Sequence, residues 1–412
     1  MSTTVCADDL SSPAALADPY PVYAHLRRRD PVHRDERLDA WLLTRYDDVV
    51  RALGDARLFS SDRTDPFLDH LDADDRQSFA PFARIRRRIL TFTDPPAHDV
   101  GRDLATNALS ARLVAAMEPY VHRVVNEALD RVVGECVVDV VDELGRRLPV
   151  TVNARAVGVP DADCERVKRW TSAFAAGLSG AGASVPAATL ARAQDALGAL
   201  RDYVASLAAR RRARPRDDLV SRLVARAEVT GADPEDVHAT CIALLFAGLE
   251  TSANVVGNGV LALLRHPGEI ERLRRADGAG ARVAVDELLR YDSPLQMLGR
   301  VVTADVSVRG RQLRAGDKVL LVVGAANRDP AEFRSPDRLD LARRPNRHLA
   351  FAHGIHYCPG AALARREAEI AFTTLVRRVD LVGLETDAVT WHANLSFRGP
   401  ASLPVRVRPR AA

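Results

Sequence analysis

The chain has 412 residues, 47% apolar and 27% charged, a balance that excludes wholesale disorder. Only two of its 58 basic side chains are lysines, Lys168 and Lys318, and against 55 acids the net charge is +3. So small an excess argues against a nucleic-acid partner.

Residues 1–21 carry acids and no apolar stretch, unlike a secretory signal. Residues 1–17 are expected to be flexible ahead of one large domain, 18–412. The pattern predicts a helix over 21–29, a strand pair over 32–44 with Trp41-Leu42-Leu43, and a helix over 46–53. Residues 60–92, rich in Asp, Pro and Arg without a clean period, read as a long variable loop with one helical turn; loops of that length are often functional. From 96 to 223, amphipathic helices alternate with Gly and Pro breaks, as at Gly158-Val159-Pro160 and within 177–186.

Asp233-Pro234-Glu235 is a helix start, with proline in the first turn and acids beside it. The pattern runs to Leu264 and stops at His266-Pro267-Gly268; roughly thirty residues give about 45 Å of helix. Its centre, 243–249, is apolar all round and is expected to be buried on every side. The strongly apolar run 241–249 is about half the ~20 residues needed to span a bilayer, so no membrane partner is expected. Two helices near 268–275 and 281–291 follow, then strands at 301–308 and 318–323, a helix after Cys358, and strands around 391–407. The whole reads as mainly α with a minor β region. Five scattered cysteines (Cys6, Cys136, Cys164, Cys241, Cys358) with no CxxC pair suit reduced thiols in a cytoplasm.

Phe351-Ala352-His353-Gly354-Ile355-His356-Tyr357-Cys358-Pro359-Gly360 precedes a helical pattern over 361–376. A thiolate at a helix amino terminus is stabilised by the dipole and by N–H groups. Gly354 and Gly360 allow tight turns beside a large flat ligand. Such a cysteine suits axial ligation of haem iron. From the residues alone two other readings stay open: a zinc site on His353, His356 and Cys358, lacking a fourth ligand at zinc-finger spacing, and an ordinary buried cysteine.

On the long helix, Ala247-Gly248-Leu249-Glu250-Thr251 sets Ala247 and Thr251 on one face. The two small residues would open a gap against a flat ligand, and a local distortion would expose a carbonyl and admit water. Glu250 offers a titratable group for proton delivery. The plainer reading is a packing notch with Thr251 bonded to a backbone carbonyl. Glu287-Leu288-Leu289-Arg290 places acid and base at i, i+3 on one helix face.

These segments resemble, in order along the chain, the AGxxT, ExxR and FxxGxHxCxG motifs of the cytochrome P450 monooxygenases, and the resemblance runs from about Asp18 to Val407. It implies the single-domain fold of that family around a buried haem b. Cys358 would be the iron ligand, with Phe351, Gly354, His356, Gly360, Ala247 and Gly248 about the cofactor. His98, Arg102, Arg300 and His356 would hold the propionates, arginine being suited to carboxylate. Glu287, Arg290 and Arg338 would form a buried structural cluster, and Thr251 with Glu250 would deliver protons. Substrate contacts are implied for the 60–92 loop, 177–186, Ala243, Phe246, Ala247, 295–298 and 394–397. Leu295 and Phe397 would be apolar contacts and Gln296 and Asn394 polar anchors, a lining that suits a mid-sized, mainly hydrophobic molecule.

The implied reaction inserts one oxygen atom from O2 into a C–H bond in secondary-metabolite biosynthesis. With no GxGxxG fingerprint in the chain, electrons would come from a ferredoxin and its reductase. Oxidative C–C or C–O coupling, peroxide-driven oxidation, and a non-catalytic haem sensor or carrier are the alternatives; the Glu250-Thr251 pair counts against the last. Two departures stand out. Ala352 occupies a position where the family often has glycine, and Pro359 removes an N–H near the sulfur. Arg84, Arg86, Arg87 and Arg88 are either a solvated helix face or an attraction for an acidic or carrier-protein-bound substrate.

Overall fold

A computed structural model describes residues 9–64, 77, 79–178 and 187–410. The chain begins with α1 (Pro13–Ala17), α2 (Tyr20–Arg29), the hairpin β1 (Val32–Asp35) and β2 (Ala40–Leu43), α3 (Tyr46–Gly54) and β3 (Phe59–Ser60). Residues 9–17, which composition assigns to a flexible terminus, are docked: Leu10 is buried, and Arg398 donates to the Leu16 and Ala17 carbonyls at 2.7 and 2.9 Å. The expected 60–92 loop contains a helix, α4 (Ala80–Arg86), and a 3-10 turn at Leu90–Phe92. Phe82 and Ile85 bury one face of α4, a spacing that the intervening arginines hide in the sequence. The rest of that segment, 65–76 and 78, and 179–186 of the other proposed substrate segment lie outside the described residues.

The helical body is α5 (Ala97–Ala108), α6 (Ala111–Val132), then β4 (Val137–Asp139), α7 (Arg147–Val157), α8 (Cys164–Leu178), α9 (Ala187–Ala213) and α10 (Leu219–Thr230). Through it passes α11 (Pro234–Arg265), started by Asp233, whose carboxylate accepts from Glu235 N at 2.9 Å. Next come α12 (Pro267–Arg275), α13 (Gly278–Tyr291), β5 (Met297–Val302), β6 (Val306–Val308), β7 (Arg311–Leu313), β8 (Lys318–Val322) and α14 (Val323–Ala326). The chain closes with α15 (Ala361–Arg378), β9 (Val379–Leu384), β10 (Thr390–Trp391), β11 (Pro400–Ser402) and β12 (Pro404–Pro409).

The largest sheet has the order β1-β2-β8-β5-β3, with only β2 and β8 parallel. Ser60 pairs with Val301, so the chain leaves β3 alongside Arg300. By length and composition α11 is apolar enough to cross a membrane. Here it is a core helix, buried at every position from 256 to 263. Its centre differs from expectation: Ala243, Phe246 and Thr251 are half-buried and Ala247 is exposed. Apolar sequence cannot tell a protein-packed face from one that lines a site for an apolar ligand. A Cβ on Gly259 would overlap the Phe372 ring, so α11 and α15 lie close enough to fix the two ends of the site relative to one another.

Candidate functional site

Cys358 lies just ahead of α15, whose N-cap is Gly360 and whose first turn has no side-chain cap. The N–H groups of Gly360 and Ala361 lie toward the sulfur and favour its thiolate, Ala361 N donating as well to the Cys358 carbonyl at 3.3 Å. Burial pushes the Cys358 thiol up, against these N–H groups and the charges of Arg102 and Arg365. Pro359 cannot contribute, so the support rests on the two residues after it. The loop closes through Cys358 N, which donates to the Phe351 carbonyl at 2.9 Å.

Two residues of that loop have left-handed backbone, Ala352 at φ 61° and Gly354 at φ 69°. A Cβ on Gly354 would come within 2.7 Å of the Leu53 carbonyl oxygen, so glycine is required. Ala352 holds the same conformation with a side chain, which costs about 1–2 kcal/mol. Ala352→Gly is therefore expected to raise stability by about 0.5–1 kcal/mol, since glycine's freedom in the unfolded chain offsets part of the relief. Urea unfolding measures this; a lower midpoint would remove the strain from the account.

On α11, Thr251 Oγ1 donates to the Ala247 carbonyl at 3.0 Å and the helix continues unbroken, so the plainer of the two readings of this hydroxyl describes the structure. Gly248 is corrected as a gap toward the ligand: a Cβ there would meet Asn153 Nδ2 of α7 at 2.5 Å, so its smallness serves helix packing. The open face is Ala243, Ala247 and Thr251, with Glu250 on its flank. Burial alone pushes the Glu250 carboxyl up. Phe246 meets Phe174 edge-on at 5.1 Å and Phe174 meets Phe82 at 5.7 Å, an aromatic wall from α11 through α8 to α4.

Cations gather beside the cysteine loop. Arg300 is 4% exposed and lacks a carboxylate partner among the described residues; burial first, then the Arg63 charge, pulls it down to about 9. His356 Nε2 is buried without a partner. The His98 ring lies 4.6 Å from that of His356, but its Nε2 contacts the Ile355 carbonyl and its Nδ1 Asp99, both at 3.2 Å. His98 thus sits against the loop backbone, and its neutral ring, with one N–H, donates to one of these two oxygens. Arg102 likewise donates to the Tyr357 carbonyl.

Two proposed substrate anchors are corrected. Gln296 faces away: it is 2% exposed, donates to the Ser293 carbonyl at 2.7 Å and Tyr20 Oη at 3.4 Å, and packs on Gly324. Asn394 Oδ1 accepts from Ser396 N and Phe397 N at 2.9 and 3.1 Å, which shapes the turn presenting Phe397. Leu295 and Phe397 are half-buried and bridge each other. The arginine run also divides. Arg88 pairs with Asp233 and Asp236, Arg86 is buried over the Phe92 ring at 4.3 Å, and Arg84 and Arg87 are exposed.

The structural cluster forms with a different third member. Arg290 Nε and Nη2 bond both Glu287 oxygens at 2.7 and 2.9 Å, and both side chains are fully buried. The second cation is Arg343, whose Nε lies 3.1 and 3.0 Å from the same oxygens. Arg338 is exposed and supplies only its carbonyl, to Arg290 and Arg343. The loop turns its backbone inward there and carries the Arg338 side chain out. Asp286, the neighbour of Glu287, joins His348 Nε2 at 3.0 Å and Arg365 Nε at 2.7 Å. Burial would raise Asp286, but these bonds hold it below its usual range. Arg365 also donates to Tyr357 Oη at 3.0 Å and covers the Phe351 ring. Thus α13 steadies the cysteine loop from both sides. Sequence reasoning missed Asp286, His348, Arg343 and Arg365; no short spacing joins them to the motifs.

A half-buried thiol at a helix start, the buried Arg300 without a carboxylate pair, the unpartnered His356 Nε2 and an open apolar helix face fit an iron-bearing flat group with two carboxylates. Among the described residues no three His, Cys, Asp or Glu side chains converge to hold a metal, and His353 is exposed, which removes the zinc reading. These features define a haem enzyme. A family model described as Cytochrome P450 matches residues 281–390. The chain is 33% identical over 402 residues to "Polyketide biosynthesis cytochrome P450 PksS" of Bacillus subtilis (strain 168), covering 94% of this chain and 95% of that one. The crystal structure of CalO2 superposes with TM-score 0.88 at 35% identity, covering 97% and 98%. That of P450BioI with acyl carrier protein bearing hexadec-9Z-enoic acid gives 0.85 at 31%, covering 97% and 99%. The chain belongs to the cytochrome P450 family: it is a P450 monooxygenase that carries haem b.

Proposed function

We propose that this enzyme inserts one oxygen atom from O2 into a C–H bond of a mid-sized, mainly hydrophobic small molecule of secondary metabolism, by hydroxylation or epoxidation. Cys358 would hold the haem iron. The observation that carries this reading is the Cys358 sulfur itself, half-buried at the start of α15, where the N–H groups of Gly360 and Ala361 favour its thiolate. Bound haem supplies the reductive splitting of O2 and the transfer of one oxygen atom to carbon.

The chain's own residues do the rest. Arg300, with Arg102 nearby, offers charge to the propionates. Ala243, Ala247, Phe246, Leu295 and Phe397 bind and orient an apolar substrate and exclude water. Glu250, pushed up by burial, holds a proton near the open face of α11. Thr251 Oγ1, once it leaves the Ala247 carbonyl, passes that proton inward. Thr251→Ala is expected to keep NADPH consumption while diverting it to hydrogen peroxide, with product per electron pair falling roughly tenfold or more. Peroxide and product are measured together, and unchanged coupling would take Thr251 out of the proton path.

Electrons are assigned to a cytoplasmic ferredoxin and its reductase, since the chain has no nucleotide fingerprint. Driving the purified enzyme with NADPH, reductase and ferredoxin against hydrogen peroxide alone tests this. Faster turnover with peroxide would favour the peroxide-driven reading. A carrier-bound substrate is a second reading, favoured by the complex of the similar P450BioI with a loaded acyl carrier protein.

A further inference from the structure

Arg63 has no role in the site as the motifs outline it. It follows β3 by three residues, and its guanidinium lies across Gly299, where a Cβ would overlap it. Its charge acts on both Arg300, the next residue of β5, and His356. The same group lies 5.3 Å from the centre of the Phe92 ring, which Arg86 covers at 4.3 Å. Arg63 Nε is buried without a hydrogen-bond partner, and no carboxylate pairs with this residue among those described.

Arg63 is half-buried, and taking even part of a guanidinium out of water unpaired is costly. Burial pulls Arg63 down to about 10, with Asp62 the one charge that counters it. A second such group, Arg300, stands beside it and feels its charge, with Asp94 acting the other way. An anion bound beside both would offset their mutual repulsion. His98, meanwhile, lies with its Nε2 3.2 Å from the Ile355 carbonyl oxygen, on the loop side. Beside Arg300 and Arg102, Arg63 thus stands as a further cation, one that no motif outlines.

We infer that Arg63 binds a haem propionate alongside Arg300, and that residue 299 is glycine because this guanidinium must cross it. The inference rests on the haem-thiolate reading and is tested separately from it. Haem loss from the holoproteins is followed by absorbance on transfer to excess apomyoglobin. Arg63→Gln and Gly299→Ala are each expected to speed loss by about tenfold or more, the scale of one charged hydrogen bond; Arg63→Lys should fall between. After reconstitution with haem dimethyl ester, whose propionates are uncharged, wild type and Arg63→Gln should lose the group at equal rates. Equal loss with native haem would overturn the inference, as would a difference that persists with the ester.

A further outcome would also overturn it. If Arg63→Gln keeps its haem but loses the spin-state shift caused by palmitate and not by methyl palmitate, the guanidinium serves an anionic substrate. Absence of the red-shifted Soret band from the reduced wild-type CO adduct would instead defeat the thiolate reading. The native-haem and ester comparison would still decide Arg63.

Discussion

Cys358→Ala is expected to abolish the strongly red-shifted Soret band of the dithionite-reduced CO adduct. Turnover should fall by more than the roughly 10–100-fold typical of losing an outer partner of a metal ligand. The sulfur has no substitute: among the described residues no other cysteine lies near the loop, and His356, the nearest imidazole in sequence, is held low by burial first and then by Arg300. Cys241→Ala is the control. It removes a thiol from the interior of α11, also pushed up by burial, and should leave the band in place. Retention of the band by Cys358→Ala would overturn the assignment of the iron ligand.

The second large effect separates two arginines only five residues apart. Arg343→Ala and Arg290→Ala each leave Glu287 buried with part of its charge uncompensated. Breaking a buried pair in this way costs about 3–5 kcal/mol. Arg290 should be the worse loss, because its guanidinium also donates to the Asn327 and Pro336 carbonyls at 2.9 and 2.8 Å. Asn327 Oδ1 in turn accepts from Leu349 N at 2.7 Å, so the damage reaches the start of the cysteine loop. Arg338→Ala should fall within about 0.5 kcal/mol of wild type, as for ordinary surface substitutions. Urea midpoints and haem content per mole of protein read all three. Equal losses for Arg338→Ala and Arg343→Ala would contradict the geometry at Glu287.

Local chemistry made much of this protein legible before any coordinates. Asp233-Pro234-Glu235 starts α11 because a carboxylate can reach the second N–H beyond it and proline needs no partner in the first turn. Gly354 announces a strained turn, and the path of the chain past Leu53 explains why nothing larger fits. Helix α4 was hidden because Arg84 and Arg86 interrupt its apolar spacing. Arg86 is buried all the same, its planar cation covering Phe92. The centre of α11 was misread for the opposite reason: apolar residues there serve an open face.

The haem chemistry was implied by the resemblance of the motifs to the cytochrome P450 family, while sequence alone determined the mainly α class, the long helix and the cysteine ahead of a helix start. Each follows from interactions within a few residues, where backbone geometry leaves little choice. Tertiary structure decided which charges meet. Arg343 rather than Arg338 faces Glu287, Gln296 turns to Tyr20, His98 sits against the loop backbone, and Arg63 crosses Gly299 to reach Arg300. A loop that turns by one residue moves a side chain to the opposite side, and the energy of a charge depends on what buries it. Neither quantity is written in local spacing, so the arginines between 290 and 343 acquire their partners only once the fold is closed.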